Sequence, residues 1–216
     1  MTEHPILFSG PMIRAILAGQ KTQTRRVIVP PRPCRLGGHH MFYPGERWWV
    51  GECPTSGWWA VDDPSGPPPR WTPSGPGFVC PYGVPGDLLW VRETHFITVC
   101  NEAVYRADYP NNAKERGMEN IPHESDVRWR PSIHMPRWAS RLTLCVTDVW
   151  VERLQEITIE DVIAEGLSTK LREHDAECDL RDAFRRLWDS NNAKRGYGWD
   201  VNPWVWVISF EKVGAA

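Results

Sequence analysis

The densest run of side chains able to do chemistry is Gly19-Gln-Lys21-Thr-Gln-Thr24-Arg25-Arg26, which follows an apolar segment. Lys21 and Thr24 stand three residues apart, a spacing that can set an ammonium beside a hydroxyl in a turn. A lysine whose pKa is lowered by burial can take the proton of a threonine and make it a nucleophile. Arg25 and Arg26 beside it suit an anion or a negatively charged intermediate. The same residue types also decorate ordinary surface turns, and the pattern by itself allows both readings.

A second constellation is RWRPSIHMPRWASR, residues 128–141. It holds Arg128, Arg130, Arg137 and Arg141, Trp129 and Trp138, and His134, with no carboxylate among them. Interleaved guanidinium and aromatic planes suit phosphate contact and base stacking. The alternative is a pair of core tryptophans beside solvated arginines. Arg92 and Glu93 close another apolar run and read either as an ion pair or as pocket lining. Lys194, Arg195 and Tyr197, in a glycine- and asparagine-rich loop, are further candidates for lining a cleft.

These groups need elements to position them. Ser9-Gly10-Pro11 opens a helix through MIRAILAG, with Met12, Ile13, Ile16 and Leu17 on one face and Gly19 as its stop signal. Residues 21–29 lead from the turn into a strand. Gly86 and Asp87 form a turn feeding the strand LLWVRE, and 96–99 with 103–106 read as a hairpin. Leu142, Leu144 and Val146 alternate with polar partners, the period of a half-buried strand. Thr158 caps a short helix that stops near Gly166. Residues 175–192 form an amphipathic helix on Leu180, Ala183, Phe184, Leu187 and Trp188. The last run alternates Trp204, Trp206, Ile208 and Phe210 against Val205, Val207 and Ser209. Strands outnumber helices without regular interleaving, which favours an α+β fold with a curved sheet or small barrel.

Composition limits the rest. The chain has 216 residues, a formal net charge of −2 and 13 tryptophans. That length is ample for a real core and suits one domain with insertions. No apolar run is long enough for a membrane span. The start MTEHPILF lacks the pattern of a signal peptide, and six dispersed cysteines without a CxxC pair read as reduced thiols in a cytoplasmic protein. The near-neutral balance argues against a globally basic nucleic-acid binder, while leaving room for a local basic patch. Thirteen of the 20 prolines fall between Pro30 and Pro85, with five tryptophans, so this stretch reads as an insertion packed down through its aromatics. Cys34, His39, His40, Cys53 and Cys80 match no zinc-ligand spacing. No nucleotide, serine-hydrolase or redox fingerprint is present. The expectation is therefore no metal and no cofactor.

The segment ILFSGPMIRAILAGQKTQTRR carries a G-x-K-x-x-x-x-R pattern as Gly19, Lys21 and Arg26. PGDLLWVRE, WRPSIHMPRWASRLTL, LQEITIEDVIAEG and RGYGWDVNPWVWVISF follow it in order. Through these patches, spread over residues 6–213, the chain resembles the ASCH domain family of the PUA-like superfamily, in its bacteriophage and prophage branch. The resemblance implies an α+β fold with a small β-barrel, helices at its mouth and a cleft suited to a nucleobase or RNA. It implies one domain over 1–216, with insertions at about 30–85 and 108–136.

Compact bacterial members of that family remove the acetyl group from N4-acetylcytidine, using a lysine and a threonine of a GxKxxT turn and a later glutamate. Lys21 and Thr24 match the first two by motif position. Aligning the Leu-x-x-Ile/Leu-Thr start of the later helix carries the glutamate to Glu165. By its position alone, Glu165 is a last-turn acid where the helix dipole disfavours it. The resemblance thus implies Lys21 as base, Thr24 as nucleophile and Glu165 as proton donor. Around them, Arg25, Arg26, Arg92, Glu93, His134, Arg137, Trp138 and Arg141 would meet a nucleoside or single-stranded RNA or DNA. The rival expectations are a non-catalytic RNA- or DNA-binding module and a phage structural or host-interaction protein using the tryptophan-rich stretch.

Overall fold

The computed structural model describes residues 1–29, 80–167 and 176–213. The expected packed insertion, its proposed role as a contact surface, and Cys34, His39, His40 and Cys53 lie outside the described residues. The described elements are β1 (Glu3–Leu7), α1 (Gly10–Leu17), β2 (Gln23–Val27), β3 (Leu88–Arg92), β4 (His95–Ile97), β5 (Ala103–Tyr105), α2 (Asn111–Glu115), β6 (Thr143–Arg153), α3 (Ile159–Ala164), α4 (Ala176–Asn192) and β7 (Trp204–Lys212).

Five strands form one mixed sheet in the order β1-β3-β6-β7-β2, and β4 pairs with β5 separately. The architecture is α+β, a mixed sheet with a few helices. Among the described residues the large sheet is open, with β1 and β2 as its edges, so no pairing closes the expected barrel. Strand β1 was not legible in the sequence. It runs parallel to β3, Glu3 opposite Leu88 through Leu7 opposite Arg92. Pro5 interrupts its pattern, and an edge strand is where a residue without an N–H is tolerated.

The alternation along β7 sorts two cores. Trp206, Ile208 and Phe210 pack with Ile13 and Ile16 of α1, while Val205 and Val207 pack with Val162 of α3 and with Leu180, Phe184 and Trp188 of α4. Successive strand residues point to opposite faces, so helices cover both faces where β7 runs. Leu17, which the pattern groups with Ile13 and Ile16, is 36 % exposed.

Strand β6 is longer than its first alternating residues predict. Leu142, Leu144 and Val146 face the α1 core, and the register shifts between Val146 and Asp148. The extra residue inverts the parity, so the odd-numbered Val149 and Val151 continue on that same face. The segment 108–136, expected to be irregular, holds α2 and isolated 3-10 turns at Glu124–Asp126 and Ser132–His134.

Candidate functional site

The turn after α1 is held from three sides. The Gln20 and Lys21 amides donate to the Ala15 carbonyl at 2.8 and 3.2 Å. Thr22 N–H donates to Ala164 O at the end of α3 (2.8 Å), and Phe210 N–H donates to Thr22 O (2.9 Å). Lys21 and Glu165 thereby become antiparallel backbone partners. Helix α3 reaches this place because Thr158 caps it as expected, accepting from Asp161 N–H at 3.2 Å while the Asp161 carboxylate accepts from Thr158 N–H at 3.1 Å. Gly166 then ends the helix at φ +89°. A Cβ there would stand 3.0 Å from Cβ of both Ala15 and Lys21, so only glycine lets the helix end close over the lysine.

Lys21 is fully buried at its side chain, with Glu165 at 5 %. The Lys21 Nζ donates to Glu165 Oε2 at 2.5 Å, to Glu165 O at 2.8 Å and to Gln23 O at 2.8 Å. Glu165 Oε1 accepts from Arg25 N–H at 2.6 Å. Burial holds the lysine pKa below its usual value, opposed by the adjacent carboxylate. Arg25, also buried, closes a larger network. Its Nη1 donates to Gln23 Oε1 at 2.7 Å and its Nε to Glu152 Oε1 at 2.8 Å. Its Nη2 lies 2.6 Å from Glu152 Oε1 and 3.0 Å from Asp161 Oδ2. Those contacts attract by charge without hydrogen-bond alignment. Arg25, expected to meet a ligand, is therefore neutralised from within.

Thr24 sits opposite Ile208 on β7 and is 1 % exposed. Its side chain, with Glu165 and Arg26, lines a cleft of about 940 Å³. Phe8, Tyr82, Trp188 and Trp206 give that cleft aromatic walls. Arg26 lies over the Phe8 ring at 5.1 Å and donates from Nη2 to Leu7 O at 2.7 Å. Lys21 directs all three donors to Gln23 and Glu165, and among the described residues the Thr24 hydroxyl has no hydrogen-bond partner. The arrangement thus brings Thr24, Glu165 and Arg26 to one cleft. The lysine stands behind the carboxylate rather than bonded to the hydroxyl.

The other expected site residues divide. Arg92 and Arg195 line the same cleft. Glu93 and Arg141 do not; they form an ion pair elsewhere. Arg141 Nε and Nη2 donate to the Glu93 carboxylate at 2.8 and 3.0 Å. Its Nη1 and Nη2 donate to that of Asp108 at 2.6 and 3.0 Å. Burial raises the Glu93 pKa against this partner. Arg137 forms a bidentate pair with Glu3, both contacts at 2.8 Å, and Trp138 is exposed. His134 lines a second cavity of about 790 Å³ with Arg128, Trp129 and Arg130. Asp87 is the turn-former expected, accepting from Thr2 N–H at 2.6 Å and Val84 N–H at 3.2 Å. Cys80 is a buried free thiol in the core. Among the described residues no cluster of His, Cys, Asp or Glu could hold a metal, and no helix is long and apolar enough to cross a membrane.

Sequence reasoning missed Phe8, Tyr82 and Trp206 as cleft walls. Trp206 was legible as a residue of the last strand, on one face with Trp204, Ile208 and Phe210. Nothing local marks it as cleft-lining, because the cleft is made by the junction of β1, β2 and α4. No family model matches the chain, and no curated protein does. Among solved structures, the crystal structure of an ASCH domain from Lactobacillus crispatus is similar at a TM-score of 0.39 and 8 % identity, over 98 % of this chain and 79 % of that one. At that level of superposition the likeness carries no residue assignment.

Proposed function

We propose that this chain is an ASCH-type, PUA-like protein whose cleft takes a nucleobase or nucleoside. Its sharpest activity is amide hydrolysis of an N4-acetylcytidine-type substrate. The observation that carries the reading is the joint opening of Thr24 and Glu165 onto one aromatic-walled cleft, with Lys21 bonded to Glu165 at 2.5 Å behind them. Flat aromatic walls suit a base, and Lys21 fixes the Glu165 carboxylate that it bonds.

In the proposed cycle Lys21 holds the Glu165 carboxylate in place, and Glu165 makes the proton transfers. Glu165 takes the Thr24 proton as the threonine oxygen attacks the acetyl carbonyl, and backbone amides hold the oxyanion. Collapse breaks the C–N4 bond, and Glu165 delivers its proton to the leaving amine. Water then attacks the acetyl-threonine ester. Its proton goes to Glu165, which passes it to the Thr24 oxygen as the tetrahedral intermediate collapses, and acetic acid leaves with Glu165 in its starting state.

The test is release of cytidine from N4-acetylcytidine. Thr24→Ala removes the attacking oxygen and abolishes turnover while the fold persists; Lys21→Ala abolishes it as well. A folded wild type that releases no cytidine sinks the hydrolase reading. A second reading, a non-catalytic module for single-stranded RNA or DNA, is favoured by the cavity lined by Arg128, Trp129, Arg130 and His134. Binding through several phosphates would weaken steeply with added salt, whereas nucleoside hydrolysis would barely respond.

A further inference from the structure

The charges around the cleft are unevenly matched. Four arginines line it, at 25, 26, 92 and 195, against the single carboxylate of Glu165 among the described lining residues. Glu165 is already neutralised by Lys21, and Arg25 by Glu152 and Asp161. Arg26, Arg92 and Arg195 have no carboxylate within 4.0 Å among the described residues. Their contacts are to carbonyls and aromatic rings and, for Arg26, to the Tyr82 hydroxyl. Arg26 bonds Leu7 O and covers Phe8. Arg92 donates from Nη2 to Ile133 O and lies 5.3 Å from the Trp90 ring. Arg195 lies 5.9 Å from the Tyr197 ring.

The backbone brings two of these arginines to one place. Leu7 is the β-sheet partner of Arg92, and its carbonyl accepts from Arg26, so both side chains are anchored at the same end of β1. Arg195 faces the cleft from the 3-10 turn Ala193–Arg195 that follows α4. Furthermore, the Arg92 Nε is buried without a hydrogen-bond partner among the described residues. A desolvated charged donor left without an acceptor is costly, and an incoming oxyanion would relieve that cost.

We infer that the ligand of this cleft is a phosphorylated nucleotide rather than a bare nucleoside, its phosphate held by Arg26, Arg92 and Arg195. This rests on the cleft taking a nucleobase, and it adds the substrate class. Guanidinium groups match phosphate oxygens in charge and in fork geometry. Two sources carry that chemistry: a 5′-mononucleotide, and an internal phosphodiester of a single strand. The second has a path out of the cleft. Ser132 lines the cleft, while Pro131 and His134 line the neighbouring cavity with Arg128 and Arg130.

Calorimetric titration of the full chain with N4-acetylcytidine, its 5′-monophosphate and ribose 5-phosphate tests the inference. The expected result is a monophosphate at least about tenfold tighter than the nucleoside, a gain kept by Thr24→Ala and lost in Arg92→Gln and Arg195→Ala. Equal affinity for nucleoside and monophosphate overturns the inference and leaves the nucleobase reading standing. Ribose 5-phosphate binding as tightly as the monophosphate supports the phosphate site and removes the nucleobase reading. No binding of any of the three overturns both. A hexanucleotide carrying the modified base identifies the source. Tighter binding than the monophosphate, lost in Arg128→Ala/Arg130→Ala, assigns an internal phosphodiester, and no gain assigns the mononucleotide.

Discussion

Replacing Lys21 by methionine isolates the buried pair, because methionine keeps most of the side-chain length and removes the ammonium. Three acceptors then lose their donor: Gln23 O, Glu165 O and Glu165 Oε2. Glu165 Oε1 keeps the Arg25 N–H at 2.6 Å, with the Arg25 guanidinium 3.6 Å away. The side chains of the pair are 0 % and 5 % exposed, so water replaces the lost donor only in part. Breaking a buried pair from one side costs about 3–5 kcal/mol. At about 2–4 °C per kcal/mol for a domain of this size, the melting temperature falls by roughly 6–20 °C.

The decisive comparison is the double variant Lys21→Met/Glu165→Gln. Glutamine still offers an oxygen to Arg25 N–H but carries no charge to strand. The double variant is therefore expected to be more stable than Lys21→Met alone, and adding the cost of Glu165→Gln by itself gives a coupling of about 2–3 kcal/mol, within the range for contacting residues. Urea titration followed by tryptophan fluorescence measures all four corners of the cycle. A cost below about 1 kcal/mol for Lys21→Met would refute the argument, since that is the size of an exposed pair. Additivity of the two single substitutions would refute it equally.

Gly166→Ala is expected to destabilise by about 2–4 kcal/mol, from the left-handed backbone plus 3.0 Å contacts to Ala15 and Lys21. Gly19→Ala, at φ +72° but facing open space, should cost only about 1–2 kcal/mol, and denaturant midpoints compare the two. His95 is completely buried, with Nδ1 3.0 Å from Glu93 O, and burial lowers its pKa below the usual 6.5. Between that lowered value and 6.5 the unfolded chain binds a proton that the folded chain refuses, so stability falls as pH drops through this window. The raised Glu93 pKa acts with the opposite sign. Subtracting the stability-versus-pH curve of His95→Phe from that of the wild type is expected to leave a difference that shrinks from pH 7 towards about pH 5. Burial pushes the Cys80 thiol up to about 11, whereas Cys100 is exposed. Iodoacetamide at about pH 8 should alkylate Cys100 and spare Cys80 in the native protein, as read by peptide mass mapping.

Local physics was enough for several elements. Proline in the first turn and Gly19 at the stop define α1, Thr158 with Asp161 defines the start of α3, and the alternation from Trp204 to Phe210 defines β7. Each depends on residues within a turn or two of one another, where propensity, capping and period act directly. The Lys21 and Thr24 turn was legible for the same reason.

The partners of those residues were decided elsewhere. Lys21 meets Glu165 from 144 positions away, and Arg25 meets Glu152 from 127. Both pairings follow from β7 lying between β6 and β2, a sheet order that periodicity cannot specify. Arg137 and Arg141 carried the same local signal as Arg92. The fold gave the first two Glu3, Glu93 and Asp108, and left Arg92 on the cleft with an Nε that has no partner among the described residues. The sequence by itself determined which residues could be charged, capped or buried. Only the tertiary structure decided which charges were neutralised and which line the cleft without a carboxylate partner among the described residues, because in a buried site that depends on which distant chain segment arrives within hydrogen-bond reach.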